Sequence, residues 1–150
     1  MKKKILISTG GSGGHVIPAM AFYDHLKENF DVLLVLDGRG SNFINEKKYE
    51  YKIIQSPRLT LNFLKLPITL INLIISVLRS FFILRKKKID ILLGTGGYMS
   101  VPICLAAKML NVKIYLFEPN MVIGRANKFL VKFCTKLFCY SDKIINLPKD

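Results

Sequence analysis

Acidic residues are scarce in this 150-residue chain. Ten Asp and Glu stand against 23 Lys and Arg, a formal net charge of +13. None lies between Glu50 and Asp90. Such a balance calls for an anionic partner, and nucleic acid is the generic one. Much of the charge, however, flanks an apolar stretch instead of mixing with polar and aromatic residues. That pattern points to anionic lipid and away from nucleic acid. Cysteine is also sparse. Cys104, Cys134 and Cys139 show no metal-ligand spacing, and an odd count suits a reducing compartment. They read as buried core thiols. With no His, Cys or carboxylate cluster of ligand spacing, neither metal nor cofactor is expected. The N-terminus reads as a first strand and not as a signal peptide. Met1-Lys2-Lys3-Lys4 looks like the basic start of one, but the apolar run behind it is short and breaks into glycines without a cleavage site.

Two glycine loops organise what is present. Thr9-Gly10-Gly11-Ser12-Gly13-Gly14-His15 follows the apolar run Lys4–Ser8, and Gly94-Thr95-Gly96-Gly97-Tyr98 follows Ile89–Leu93. Val16, Pro18 and Ala21 trail the first, and Val101, Pro102 and Ala106 the second, with the prolines expected in first helical turns. Both read as strand–loop–helix corners at the carboxyl edge of a parallel sheet, where open α/β sheets bind ligands. Glycine backbone there approaches anions closely, and a helix start adds partial positive charge. Further strands are expected at Phe30–Leu36, Tyr51–Ile54, Val112–Phe117 and Lys136–Tyr140. Helices are expected at His15–Asn29, Ser41 to about Lys48, Ser100–Leu110 and Ile123–Phe133. The alternation gives a doubly wound, Rossmann-like parallel α/β sheet. A chain 51% apolar, with mean hydropathy +0.32, has material for one such core.

Residues 59–88 are unusual. Leu66–Leu78 carries no charge for 13 residues, against the roughly 20 apolar residues of a membrane span. Arg79, Arg85, Lys86, Lys87 and Lys88 follow it. A helix from about Pro67 is expected, with one face on the sheet. The rest, with Leu61, Phe63, Leu64, Phe81 and Phe82, is expected to be partly exposed. A basic-rimmed apolar surface fits a protein lying on an anionic membrane.

Gly-x-Gly-x-x-Gly fails in both loops, since Val16 and Met99 stand where a third glycine belongs. A nicotinamide enzyme therefore rests on Asp37 alone, which reads better as a turn residue. His15, at a helix start, is a candidate proton acceptor in its neutral form. Glu118 faces the same crevice from a strand end and is either a second base or a structural cap. Asn120 offers a donor and an acceptor.

Gly10-Gly11-Ser12-Gly13-Gly14-His15, Gly94-Thr95-Gly96-Gly97-Tyr98-Met99-Ser100-Val101-Pro102 and Glu118-Pro119-Asn120, with Gly124, Asn127 and Lys128 behind, resemble the three ordered motifs of the MurG family. Ser12 stands for its usual Thr, and Phe117 and Pro119 for the His and Gln beside the glutamate. The resemblance implies the N-terminal half of a GT-B glycosyltransferase at the cytoplasmic face of the inner membrane. The family transfers N-acetylglucosamine from UDP-N-acetylglucosamine to lipid I, forming the lipid II of peptidoglycan. It implies an acceptor-side domain over 1–140, the start of a linker over 141–150, and a donor-binding domain lying elsewhere. It implies that Ser12, Gly13, Gly14 and Asn120 contact the donor, and that the glycine loops, Gly10–Gly11 and Gly94–Tyr98, hold the lipid diphosphate. His15 or Glu118 then takes the acceptor proton in a direct, inverting displacement without a metal. The alternative is a membrane-docking acceptor subunit of a split two-chain transferase.

Overall fold

The computed structural model describes residues 2–45, 47–54 and 66–148. Six apolar segments form one parallel sheet: β1 (Lys4–Ser8), β2 (Asp31–Leu36), β3 (Tyr51–Ile53), β4 (Ile91–Gly94), β5 (Lys113–Glu118) and β6 (Lys136–Cys139). Their order is β3-β2-β1-β4-β5-β6. The direction of winding reverses between β1 and β4, the place where doubly wound sheets open a ligand crevice. Ser8 is in register with both Val35 and Gly94. The two glycine loops therefore leave the sheet edge side by side.

Alternate strand residues feed two cores. Ile5, Ile7, Leu34 and Leu36 pack under α1 (Gly13–Leu26) and a 3-10 turn at Gly40–Phe43. Leu6, Val35, Leu92, Ile114 and Leu116 pack on the other face. That face carries α2 (Leu66–Lys87), α3 (Ser100–Met109) and α4 (Arg125–Leu130), the last continuing as a 3-10 turn at Val131–Phe133. Leu6, Ile7, Leu34 and Leu116 are fully buried, and each such side chain contributes about 1.5–3 kcal/mol.

The sequence expectations hold for the strands to within two residues and fail at several other places. The helix expected from Ser41 to Lys48 is only the turn Gly40–Phe43, because Asp37 Oδ1 takes the Gly40 N–H and Ser41 Oγ donates back to Gly38 O. The helix expected from Ile123 starts at Arg125, because Ile145 pairs alongside Met121–Ile123 and holds them extended. Pro18 lies inside α1 instead of its first turn, since the helix begins at Gly13. Its ring removes the N–H that would have bonded the Gly14 carbonyl. Only Cys104 of the three thiols is buried, where burial pushes its pKa far up; Cys134 and Cys139 are partly exposed.

α2 also departs from expectation. It packs against α3 more than on the sheet, and its buried face is built of Thr69, Ser76, Ser80 and Leu84. The serine hydroxyls satisfy themselves within the helix, Ser76 Oγ donating to Asn72 O (2.8 Å) and Ser80 Oγ to Ser76 O (2.7 Å). Small inward residues let helices approach closely. The large apolar residues point outward instead: Ile68 is 63% exposed, Ile74 59% and Phe82 66%, with Ile71 and Leu78 between them. Phe81 turns inward against the core. Leu61, Phe63 and Leu64 lie outside the described residues.

α2 is long and apolar enough to cross a bilayer by length and composition, with 17% of its most apolar window buried. It nevertheless connects β3 to β4, which belong to one sheet. A crossing helix there would need a second crossing to return the chain to that sheet. α2 therefore lies along the domain with an apolar outer face.

Candidate active site

The first loop is held open by an aspartate. Asp37, at the end of β2, accepts the Gly11 and Gly40 N–H groups at Oδ1, both at 2.9 Å, while Arg39 Nη2 donates to Oδ2 at 2.9 Å. A Cβ on Gly10 would stand 2.9 Å from Asp37 Oδ1, so the backbone passes where only glycine fits. Asp37 is thus the loop's anchor, as a turn residue would be. Burial pushes its carboxyl up, but the two N–H bonds and Arg39 outweigh this and leave it below the ordinary aspartate value. A lowered carboxyl contributes stability above the ordinary value near 4 and loses it as pH falls through the folded value. D37A is expected to cost about 2 kcal/mol at pH 7. The gap between the thermal melts of parent and variant should narrow as pH falls below about 4. A gap independent of pH would contradict the anchor's charge.

Beyond that anchor, α1 begins at Gly13, with Ser12 at its N-cap and no side-chain cap bond. The Gly13 and Gly14 N–H groups have no acceptor within the helix. Ser12 and Gly14 are exposed. His15 comes next and turns toward the second loop, where its Nδ1 lies 2.8 Å from Thr95 O. A carbonyl only accepts, so Nδ1 carries the proton and Nε2 holds the lone pair. Thr95 returns a bond, its Oγ1 donating to His15 O at 3.1 Å. The imidazole is thus fixed in tautomer and in place.

The second loop turns through Gly96 (φ +95°) and Gly97 (φ +79°), a backbone region that favours glycine. A Cβ at Gly96 would stand 3.0 Å from His15 Cε1, and one at Gly97 would stand 3.0 Å from Gly10 O. The two loops and the imidazole are in contact. G97A meets both the backbone and the steric penalty, so it should cost about 2 kcal/mol or more. Chemical denaturation checks this, and an unchanged midpoint would contradict the close approach.

Glu118, the last residue of β5, is fully buried. Its Oε1 accepts from Asn120 N (3.1 Å) and Asn120 Nδ2 (2.9 Å). Its Oε2 accepts from Gly124 N (2.9 Å) and Asn127 Nδ2 (2.9 Å). Four donors on two oxygens fold the 118–127 segment around one carboxylate. Asn127 Nδ2 also donates to Phe117 O, and its buried Oδ1 has no partner among the described residues. Asn120 stays exposed beside them. Lone motif reading gave Asn127 no role. Its signal was position, nine residues past Glu118 and just inside a helix opened by Gly124.

His15, Gly96, Gly97, Glu118, Asn120 and Asn127 border a common cavity of about 200 Å³. All three sequence motifs therefore meet at one place on the sheet edge. The outer apolar residues of α2 do not line it. Tyr98, at 37% exposure, stands between that cavity and a second one under α2.

Comparison with known proteins places this arrangement. The glycosyltransferase family 28 N-terminal domain matches residues 5–139. A UDP-N-acetylglucosamine–N-acetylmuramyl-(pentapeptide) pyrophosphoryl-undecaprenol N-acetylglucosamine transferase of Pelagibacter ubique is 53% identical over 99% of the chain and 42% of its own length. The transferase of the same name from Francisella tularensis is 35% identical over 98% of the chain and 40% of its own length. The chain thus spans about two fifths of these curated relatives. Among solved structures, MurG of Acinetobacter baumannii superposes with a TM-score of 0.83 at 21% identity, over 99% of this chain and 44% of that one. A UDP-N-acetylglucosamine 2-epimerase of Rickettsia bellii gives 0.66 at 16% identity, over 95% and 40%. These structures share the fold, the Rossmann-like N-terminal half of GT-B enzymes. On the match over residues 5–139, the chain belongs to the glycosyltransferase family 28 N-terminal domain.

Proposed function

We propose that this chain is the acceptor-side half of a transferase that moves N-acetylglucosamine from UDP-N-acetylglucosamine to lipid I, making lipid II at the cytoplasmic face of the inner membrane. The observation that carries the reading is the His15 imidazole, held between the two glycine loops with Nδ1 committed to Thr95 O and Nε2 without a partner among the described residues. The names of the relatives supply the substrate pair.

In this reading Nε2 takes the proton of the acceptor hydroxyl. The oxygen attacks the anomeric carbon of the donor sugar, the bond from that carbon to UDP breaks, and UDP leaves. One displacement inverts the anomeric centre. Glu118 does not serve as the base, because both its oxygens already accept two hydrogen bonds. It positions Asn120 and the start of α4. Ser12, with a hydroxyl not used in capping, and the free Gly13 and Gly14 N–H groups face the donor, as does Asn120. Gly10, Gly11 and residues 94–98 cradle the diphosphate of the acceptor.

The outer face of α2, with Ile68, Ile71, Ile74, Leu78 and Phe82, lies on the membrane. Arg79, Arg85, Lys86 and Lys88 face the anionic headgroups there. A cation near such a leaflet contributes about 1 kcal/mol. The donor-binding domain of the relatives supplies the remainder of the donor site.

The test is an exchange. Residues 1–148 replace the matching part of the Pelagibacter ubique relative, and transfer of labelled N-acetylglucosamine to lipid I is followed. Turnover by the exchanged enzyme supports the reading. A folded exchange protein that binds UDP-N-acetylglucosamine but transfers nothing contradicts it.

A further inference from the structure

A second cavity of about 480 Å³ lies beneath α2, between α3 and α4. Its walls are Leu73, Val101, Leu105, Ala126 and Phe129, and Tyr98 and Arg125 stand at its inner end. Tyr98, Arg125 and Ala126 also border the polar cavity that holds His15. The two spaces therefore lie side by side with these three residues as shared walls, one polar toward the glycine loops and one apolar toward α2. Its volume is that of a ligand pocket, not a packing gap. Arg125 is exposed and makes no ion pair among the described residues. It puts a positive charge where the polar space becomes apolar.

We infer that this groove seats the first isoprene units of a polyprenyl diphosphate lipid, with Arg125 on the diphosphate. The inference rests on the acceptor reading above and adds a tail subsite to it. Three observations select that occupant. The groove borders a site whose glycine loops suit an anion. Its junction carries an unpaired cation, which complements a diphosphate. Its walls are almost wholly hydrocarbon, which suits a tail with no hydrogen-bonding groups; a peptide would leave backbone N–H and C=O groups unpaired there. Leu73 makes one wall of the groove part of α2, the helix whose outer face is apolar.

The test uses the 150-residue chain with farnesyl diphosphate and inorganic diphosphate as soluble probes, titrated calorimetrically below the micelle-forming concentration of the prenyl compound. Farnesyl diphosphate should bind at least about tenfold tighter, since burying a few methylene equivalents supplies that factor. L105W fills the groove from a half-buried position. It should bring farnesyl diphosphate to the level of inorganic diphosphate and leave the latter unchanged. R125A should weaken both probes. F129A, at a 45% exposed wall residue, should lower farnesyl affinity severalfold and serves if L105W fails to fold. Equal binding of the two probes by the parent chain overturns the tail subsite while leaving the anion site standing. Farnesyl preference that survives both L105W and F129A also overturns it. Binding of neither probe overturns the acceptor reading together with the groove.

Discussion

Replacing His15 by alanine in the exchanged enzyme should lower kcat by about two to four orders of magnitude, the usual contribution of a positioned general base. Thermal stability should change little, because His15 is only half-buried and its ring makes one hydrogen bond, to Thr95 O. The geometry makes the expectation specific. Thr95 is held by Ser8 O through its own N–H at 3.0 Å, so the carbonyl that fixes the imidazole is itself fixed to β1. H15N keeps a side-chain donor for that carbonyl but lacks a basic nitrogen, so it should be as slow as H15A. The KM for UDP-N-acetylglucosamine should stay within a few-fold in both variants. Full activity in H15N would show that the histidine only ties the loops together.

Loss of Glu118 should act on the fold before it acts on the rate. E118A strips four hydrogen bonds from a fully buried carboxylate and leaves Gly124 N–H and Asn127 Nδ2 short of an acceptor. Each buried group left unsatisfied costs about 1–3 kcal/mol. A total of about 4 kcal/mol follows, which for a domain of this size lowers Tm by roughly 10 °C. E118Q keeps the shape, but its amide nitrogen would face a donor, so it should recover only part of the loss. Stability near that of the parent chain in E118A, with activity abolished, would return Glu118 to the chemistry. Differential scanning calorimetry of the two variants beside H15A separates the roles, because H15A should be slow and stable while E118A is unstable.

The sequence made the sheet legible because its strands are short apolar runs closed by glycine, proline or a charged residue. Lys4–Ser8 matches β1 to the residue. The two glycine loops were equally plain, since they run so close together that a Cβ at Gly97 would stand 3.0 Å from Gly10 O. What stayed hidden depended on distant partners. Ile145 lies 23 positions beyond Val122, yet its pairing keeps α4 from starting at Ile123. No local pattern announces that. The orientation of α2 was hidden for a different reason. Its inward face mixes Thr69, Ser76 and Ser80 with Leu84 and Phe81, while most of its large Ile, Leu and Phe side chains face outward, unlike a helix that covers a soluble core with one apolar stripe. The composition of residues 66–87 tells of apolar surface but not of which side meets α3. Glu118 and Asn120 could be picked out as chemically capable, but the four donors that define the carboxylate's place, one of them from Asn127, converge only once residues 118–127 have folded.

The most direct test of the central claim is sedimentation of the chain with anionic vesicles, with and without lipid I, at low and high salt. The account predicts binding through α2 that salt weakens and that lipid I strengthens, with I74E, on the outer face of α2, losing both while melting as the parent does. Binding to anionic vesicles that lipid I leaves unchanged would contradict an acceptor site at the glycine loops.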